Sequence, residues 1–335
     1  MKITSFNEVT VGKIGEVKEI QKFLELLLPE AENFVIKPNW YSPHPGSFST
    51  VSVMRQLLEA IDGKVTVIEG HSLDRQDGSM KFQVNGEEVN WNWLMNHSWE
   101  WVKDPRHKKE LRLQEEWFLE EYGFKDLFKE FCVEYINISE EVWAGRIVDP
   151  KKVEERVKNR FGELKFKEVY GFMPSKMYRY EGSPLISLGK VKGAGGSYPS
   201  LSVKNLFGLL PDPLRVWWHG PENSRLDYSI LDIFRLYESF FDLYGLCDGV
   251  EEITVVDPEG GLKFPWGRFN LIRKPGLIGF GQDLVELDSI ICGLIGINPQ
   301  QVCYLSIAGS KKFEEEIEKA KSLSENWFNF QPYMT

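Results

Sequence analysis

The sequence predicts an α/β fold: a mostly parallel central sheet flanked by helices, with a tryptophan-rich hairpin inserted as a cap. Three observations carry that prediction. Short apolar runs such as Phe34–Ile36, Val65–Ile68 and Leu185–Leu188 end in polar residues, as buried strands do when their C-terminal tips face a ligand. Between such runs lie segments with apolar residues at i, i+3, i+4 and i+7, the spacing of a helix with one buried face. Residues 74–114 break this rhythm and contain Asn85-Gly86, a two-residue turn signal flanked by alternating apolar side chains.

In chain order, Lys2–Phe6 reads as a strand, and Val17, Ile20, Leu24, Leu27 and Leu28 form a helical stripe closed by Pro29. Asn33–Trp40 is a short buried strand with Lys37 and Asn39 at its polar tip, Pro38 preventing a continued central ladder. The loop Pro43–Thr50 feeds a helix with Met54, Leu57, Leu58 and Ile61 on one face and Gly63 as its stop, Ser49 or Thr50 being the natural N-cap. Lys64–Ser72 is the third strand, ending at Glu69 and His71. In the insertion, the turn sets Phe82 opposite Val89 and Met80 opposite Trp91, so that Met80, Phe82, Val84, Val89, Trp91 and Trp93 share a side. A lone hairpin is marginally stable. Its apolar face, with Trp99, Trp101 and Trp117 nearby, therefore closes over a ligand, meets a second chain through residues 80–101, or buries a small core of its own.

Leu113–Phe131 reads as two short helices broken near Gly123, Val133–Ile138 as a strand, Lys151–Phe161 as a helix, and Glu168–Pro174 and Leu185–Leu188 as strands. Ser200–Asp212 is a helix with Val203, Leu206, Phe207 and Leu210 toward the core, and Asp227–Leu243 is a helix feeding a strand at Tyr244–Cys247. Helices at Asp283–Ile295, Asn298–Ala308 and Ser310–Trp327 close the chain. The whole reads as one α/β unit over residues 1–335, two lobes meeting near 150–165 being the alternative.

A formal net charge of −10 argues against a duplex nucleic-acid binder, whose affinity comes from many Lys and Arg spread over one surface. A local basic pocket for a small anion stays compatible with it. No stretch approaches the roughly 18 uninterrupted apolar residues of a membrane span, and Met1–Thr10 has no signal-peptide core, so a soluble, cytoplasmic protein is expected. Cys132, Cys247, Cys292 and Cys303 form no C-x-x-C pair, which favours plain thiols over a zinc knuckle or a self-contained iron–sulfur cluster.

The candidate site residues gather at strand tips and around the Ser200–Asp212 helix. Lys190–Ser197 offers two ammonium groups, and glycines that let backbone N–H groups approach an anion. Gly46, Ser47 and Ser49 precede a helix N-terminus, where unpaired N–H groups favour phosphate or carboxylate; an ordinary capped loop is the alternative. Lys37, Asn39, Ser47, Lys192 and Asn205 are accordingly the substrate-binding candidates, with Lys204, His219 and Asp288 as the catalytic ones. His219 stands among aromatics near Lys204 in the chain and would transfer protons. Asp288 falls inside the stripe of Leu284, Leu287, Ile291, Leu294 and Ile295, so its carboxylate must meet a lysine such as Lys192 or Lys204, or backbone N–H groups. Asp283 with Glu286 reads as a capping box. Asp248 at a strand end, and Asp257 and Glu259 in a loop, could give oxygen ligands to a divalent cation; plain turn residues are the alternative.

V-I-K-P-N-W (Val35–Trp40) followed by P-G-S-F-S-T, S-V-K-N-L-F-G (Ser202–Gly208), His219, C-D-G (Cys247–Gly249), E-G-G and P-W-G between Glu259 and Gly267, and D-L-V-E-L-D (Asp283–Asp288) occur in this order. Together they resemble the domain-of-unknown-function family 362 over nearly the whole chain, K-N-L-F-G with the closing D-x-x-x-x-D being the most specific combination. Some members carry a ferredoxin-like iron–sulfur module, whose cysteine clusters are absent here. The resemblance implies that Lys37, Asn39, Lys204, Asn205, His219, Asp248 and Asp288 form one site. The expected function is an enzyme holding a small anionic metabolite between the Lys37 loop and the Lys204 helix. The other expectation is a non-catalytic or electron-transfer partner protein that docks through its tryptophans.

Overall fold

The computed structural model describes residues 1–75, 83–84, 87–88, 91–193, 199–264 and 267–327. The described strands are β1 (Lys2–Phe6), β2 (Val9–Lys13), β3 (Asn33–Lys37), β4 (Lys64–Glu69), β5 (Gln83–Val84), β6 (Glu87–Glu88), β7 (Glu134–Asn137), β8 (Pro184–Lys190), β9 (Asp242–Gly249), β10 (Glu252–Val256), β11 (Leu262–Phe264), β12 (Gly267–Arg273) and β13 (Leu277–Gly281). Eight of them form one sheet in the order β1-β2-β13-β9-β8-β3-β4-β7. The run from β9 to β7 is parallel, and β13, β2 and β1 extend it antiparallel at one edge. β10, β12 and β11 make a separate antiparallel meander. Strands from before and after residues 150–165 interleave, so the two ends of the chain share one sheet.

The parallel strands bury both faces. Val35 and Leu185 join one core, while Phe34, Ile36, Ile186 and Leu188 join the other. The helices Leu226–Glu238 and Leu284–Leu294 cover the first face; Glu19–Leu24, Val51–Ala60 and Phe124–Glu130 cover the second. Local chemistry sets several of these starts: Thr50 accepts from the Val53 N–H, and Asp283 accepts from the N–H groups of Val285 and Glu286 at 2.9 and 3.0 Å. Glu286 turns away to accept from Asn7 at 2.8 Å, so the expected capping box is one-sided.

Several elements differ from the sequence reading. Val9–Lys13 and Leu277–Gly281 are strands whose glycines and short length hide them from a propensity argument. Glu168–Pro174 is not a strand, since a 3₁₀ helix occupies Lys167–Gly171; Val169, Tyr170, Phe172 and Met173 are all buried, which a tight turn allows and alternation does not. Glu259 sits in a turn leading into β11, within the meander.

The insertion differs most. Gln83 pairs with Glu88 and Val84 with Glu87, the expected register, while Met80, Phe82, Asn85, Gly86 and Val89 lie outside the described residues. Trp91 and Trp93 belong to a helix, Trp91–Trp101, and not to the hairpin. That helix buries Leu94, Ser98 and Trp101 at i, i+4 and i+7, one face of a helix. Its partner is the short helix Val216–His219: Leu94 and Trp101 share a cluster with Val216, Trp99 packs edge-on against Trp218 with centroids 6.2 Å apart, and the Ser98 hydroxyl donates to Asp212 at 2.7 Å. Trp99 and Trp101 thus pack onto their own chain. No described helix is long and apolar enough to cross a membrane.

Candidate functional site

Connections leave β3 and β8 in opposite directions. β3 leads to β4 on one side and β8 leads to β9 on the other, so the C-terminal ends of β3 and β8 flank the switch point of the sheet, where open α/β sheets bind ligands. A cavity of about 150 Å³ lies there. The structure brings to it Lys37, Asn39, Ser47, Lys192, Lys204, Asn205 and His219 from the sequence reading, together with Glu69, Tyr41 and Arg215. Four of its described lining residues are basic and one is acidic.

Lys37 ends β3 almost fully buried. Its ammonium donates to the Pro38 carbonyl at 2.7 Å, to Glu69 at 3.0 Å and to the Asn205 side-chain oxygen at 3.3 Å, which engages all three of its N–H donors. Asn205 returns a bond to the Lys37 carbonyl at 2.8 Å, fastening the Ser202–Asn205 helix to the tip of β3. Burial pulls Lys37 down to about 8 against the attraction of Glu69. Lys37 therefore positions Asn205 and Glu69 and lends charge to the cavity, while its own donors are engaged by protein oxygens. Gly208 is required by the same contact: a Cβ there would stand 2.7 Å from the Lys37 Nζ.

Lys192 is different. It is 6% exposed, and its ammonium donates to two neutral oxygens, the Asn39 side chain at 2.8 Å and the Ser47 carbonyl at 2.6 Å. One donor remains, and no carboxylate forms an ion pair with this lysine among the described residues, whereas Lys37 has Glu69 and Lys190 has Asp248. Desolvation, with Lys204 and Lys37 adding repulsion, pulls Lys192 well below the ordinary lysine range. Ser47 contributes its carbonyl, since its hydroxyl bonds to His44 and Ser42 within its own loop.

Lys204 is half-buried on the Ser202–Asn205 helix; burial pulls it down to about 8, opposed by the Asp227 carboxylate. His219 is pulled down to about 4, chiefly by burial. Its Nδ1 lies 2.9 Å from the Asn223 side-chain oxygen, so Nδ1 carries the proton and Nε2 is left as an acceptor.

Glu69, which the sequence marks only as a strand tip, lines the cavity together with Tyr41 and Arg215, which it does not single out. Arg215 has left-handed backbone (φ 55°), and its guanidinium donates to the carbonyls of His71 and Gly208. It stands four residues before His219, one helical turn, a spacing that could have revealed it. Tyr41 follows Asn39 by two residues, the repeat that keeps extended residues on one side; the Lys192 ammonium lies 5.5 Å from its ring centre.

Three predicted residues lie elsewhere. Asp288 accepts from the Ser202 and Val203 N–H groups at 3.0 and 2.9 Å and from the Ser202 hydroxyl at 2.5 Å. Of the two partners foreseen for it, the backbone is the one present, and the carboxylate pins the N-terminus of the helix carrying Lys204 and Asn205 instead of facing the cavity. The helical stripe was no guide, since Leu284–Leu294 is buried on every side. Asp248 pairs with Lys190 across β8 and β9 at 2.8 Å, and Glu259 is exposed in its turn, so the two are not brought together around a cation. The N-terminus of Val51–Ala60, expected to attract an anion, already faces one: Thr50 and Ser52 donate to Glu251.

Among the described residues no group of three or more His, Cys, Asp and Glu is placed to hold a metal ion. Cys132 and Cys303 are exposed, Cys247 and Cys292 are buried, and burial pushes the latter thiols well above the ordinary range.

Fold and cavity define an α/β protein with a lysine-lined pocket at the switch point of a mostly parallel sheet. The chain belongs to the family described as Domain of unknown function (DUF362), whose profile matches residues 34–293. No curated protein and no solved structure matches it.

Proposed function

We propose that this protein binds a small carboxylate or phosphate metabolite in the switch-point cavity and acts on it as an enzyme. The observation that carries the reading is Lys192, an ammonium buried beside other cations, held by neutral oxygens and with one N–H donor left over. A buried cation is costly without an anion in direct contact; Glu69 and Asp74 act on Lys192 only at a distance, and a bound ligand would be the direct partner. A cavity near 150 Å³ accommodates a benzene-sized guest, so a ligand on the order of six to ten heavy atoms fits it. Asn39 and Ser47 orient Lys192, Lys37 with Asn205 fixes the floor, and His219 supplies a neutral proton acceptor.

Isothermal titration with inorganic phosphate and with acetate tests this reading. Lys192→Met, similar in length and uncharged, should weaken binding about ten- to hundredfold, the range of one charged hydrogen bond. Equal affinity in Lys192→Met and the parent protein would refute the site.

A further inference from the structure

We propose, resting on the anion site above, that the ligand is a two-headed anion, a short dicarboxylate, with one carboxylate held by Lys192 and the other by the Arg215 guanidinium. Two buried arginines donate to the chain just after β4, and they are used differently. Arg75 is wholly taken up by the fold: Nε donates to the Trp40 carbonyl at 2.8 Å, Nη1 to Glu115 at 3.2 Å and Nη2 to the Gly70 carbonyl at 2.9 Å. Arg215, 4% exposed and lining the cavity, uses Nη2 alone, which donates to the carbonyls of His71 at 3.1 Å and Gly208 at 3.0 Å. Its Nε is buried with no hydrogen-bond partner, and no described residue accepts from Nη1. Leaving a buried donor of a charged group unpaired is costly, and so is the left-handed backbone that carries it. Ligand oxygens against Nε and Nη1 would remove the first cost.

The carboxylates within electrostatic reach of Arg215 are bonded elsewhere: Glu69 to Lys37 at 3.0 Å, Asp212 to Ser98 at 2.7 Å and Asp74 to the Tyr41 hydroxyl. Lys192 and Arg215 therefore line one cavity as two buried cations, each without an anion in direct contact among the described residues. They are anchored on different elements. Asn39 and the Ser47 loop hold Lys192, whereas the segment after β4 and the Leu206–Leu209 turn hold Arg215. An anion with two separated negative groups matches both, while a monoanion leaves one of them unmatched. Trp40, Phe207 and Leu214 add apolar lining that suits a methylene chain. Malonate, succinate and glutarate, with about seven to nine heavy atoms, are of the size that a cavity of about 150 Å³ admits.

Titration calorimetry on the full chain, with acetate, the three diacids and the monomethyl ester of each, tests the proposal. At least one diacid should bind about tenfold or more tighter than both acetate and its own monoester, the range of one charged hydrogen-bonded group. Arg215→Gln should abolish that preference, bringing diacid and monoester within about twofold of each other. If that variant does not fold, the ratio of diacid to monoester affinity in the parent protein decides. Diacids no tighter than their monoesters, or a preference that survives in Arg215→Gln, overturn the second carboxylate contact. The anion site itself stands if acetate still binds and is weakened in Lys192→Met. Absence of binding by every one of these anions overturns both.

Discussion

Asp288 shows how a single buried carboxylate can matter without touching a ligand. Burial pushes it up to about 7, even though two N–H groups and a hydroxyl donate to it. Asp288→Ala strands those donors, each worth about 1–3 kcal/mol when buried and unmade, so a loss on the order of 3 kcal/mol is expected in equilibrium urea unfolding. Asp288→Asn keeps an acceptor and should lose about half as much. An unchanged midpoint for the alanine variant would show that the pin contributes nothing.

The cavity lysines make a second prediction of the same kind. Lys37 and Lys204 both fall from 10.5 to about 8 in the folded chain. Between those values the folded state holds fewer protons than the unfolded one, so their contribution to stability rises with pH across this window, is complete above 10.5 and is lost as pH falls through 8. A bound anion reverses the shift by restoring the ammonium form. Affinity for phosphate should therefore fall as pH rises through 8, and binding at about pH 8.5 should take up protons. Titration in two buffers of different ionisation enthalpy measures that uptake; identical heats in both would contradict it.

The decisive element is the short helix Ser202–Asn205 with the 3₁₀ turn Leu206–Leu209 that follows. Its backbone lies so close to β8 that a Cβ at Gly189 would come within 2.7 Å of the Leu201 carbonyl carbon. Asp288 holds its start, Asn205 ties its end to β3, and Gly208 leaves room for the Lys37 ammonium. Gly208→Ala should push Lys37 aside and break its bond to Asn205, weakening phosphate binding about tenfold with intact secondary structure by circular dichroism. Full affinity in that variant would mean that the Lys37–Asn205 contact is dispensable. The K-N-L-F-G motif was legible because its apolar residues keep helical spacing; which of its polar residues would bind a ligand and which would bind the protein was not, because the partners of Asn205, Lys37 and Ser187, come from β3 and β8.

At the scale of the molecule, the interleaved strand order predicts that the two halves of the chain unfold as one cooperative unit. A single calorimetric transition is expected. Phosphate at about a hundred times its dissociation constant should add about 2.7 kcal/mol and raise the midpoint by about 4 °C for a chain of 335 residues. Two separable transitions, only one of which moves with phosphate, would mean that the halves fold independently.

The buried parallel strands, their polar tips at Lys37, Asn39 and Lys192, and the helix behind Lys204 follow from the sequence alone, because burial on both faces of a sheet and on one face of a helix leaves a periodic record in neighbouring residues. The strands β2 and β13, the helical course of Trp91–Trp101 and the roles of Asp288, Asp248 and Arg215 were decided only by tertiary structure. An apolar side chain is satisfied by any core, so its position is enough to predict its burial. A buried charge needs a particular partner at hydrogen-bond distance, and here those partners arrive from distant parts of the chain, 168 residues apart in the case of Lys37 and Asn205.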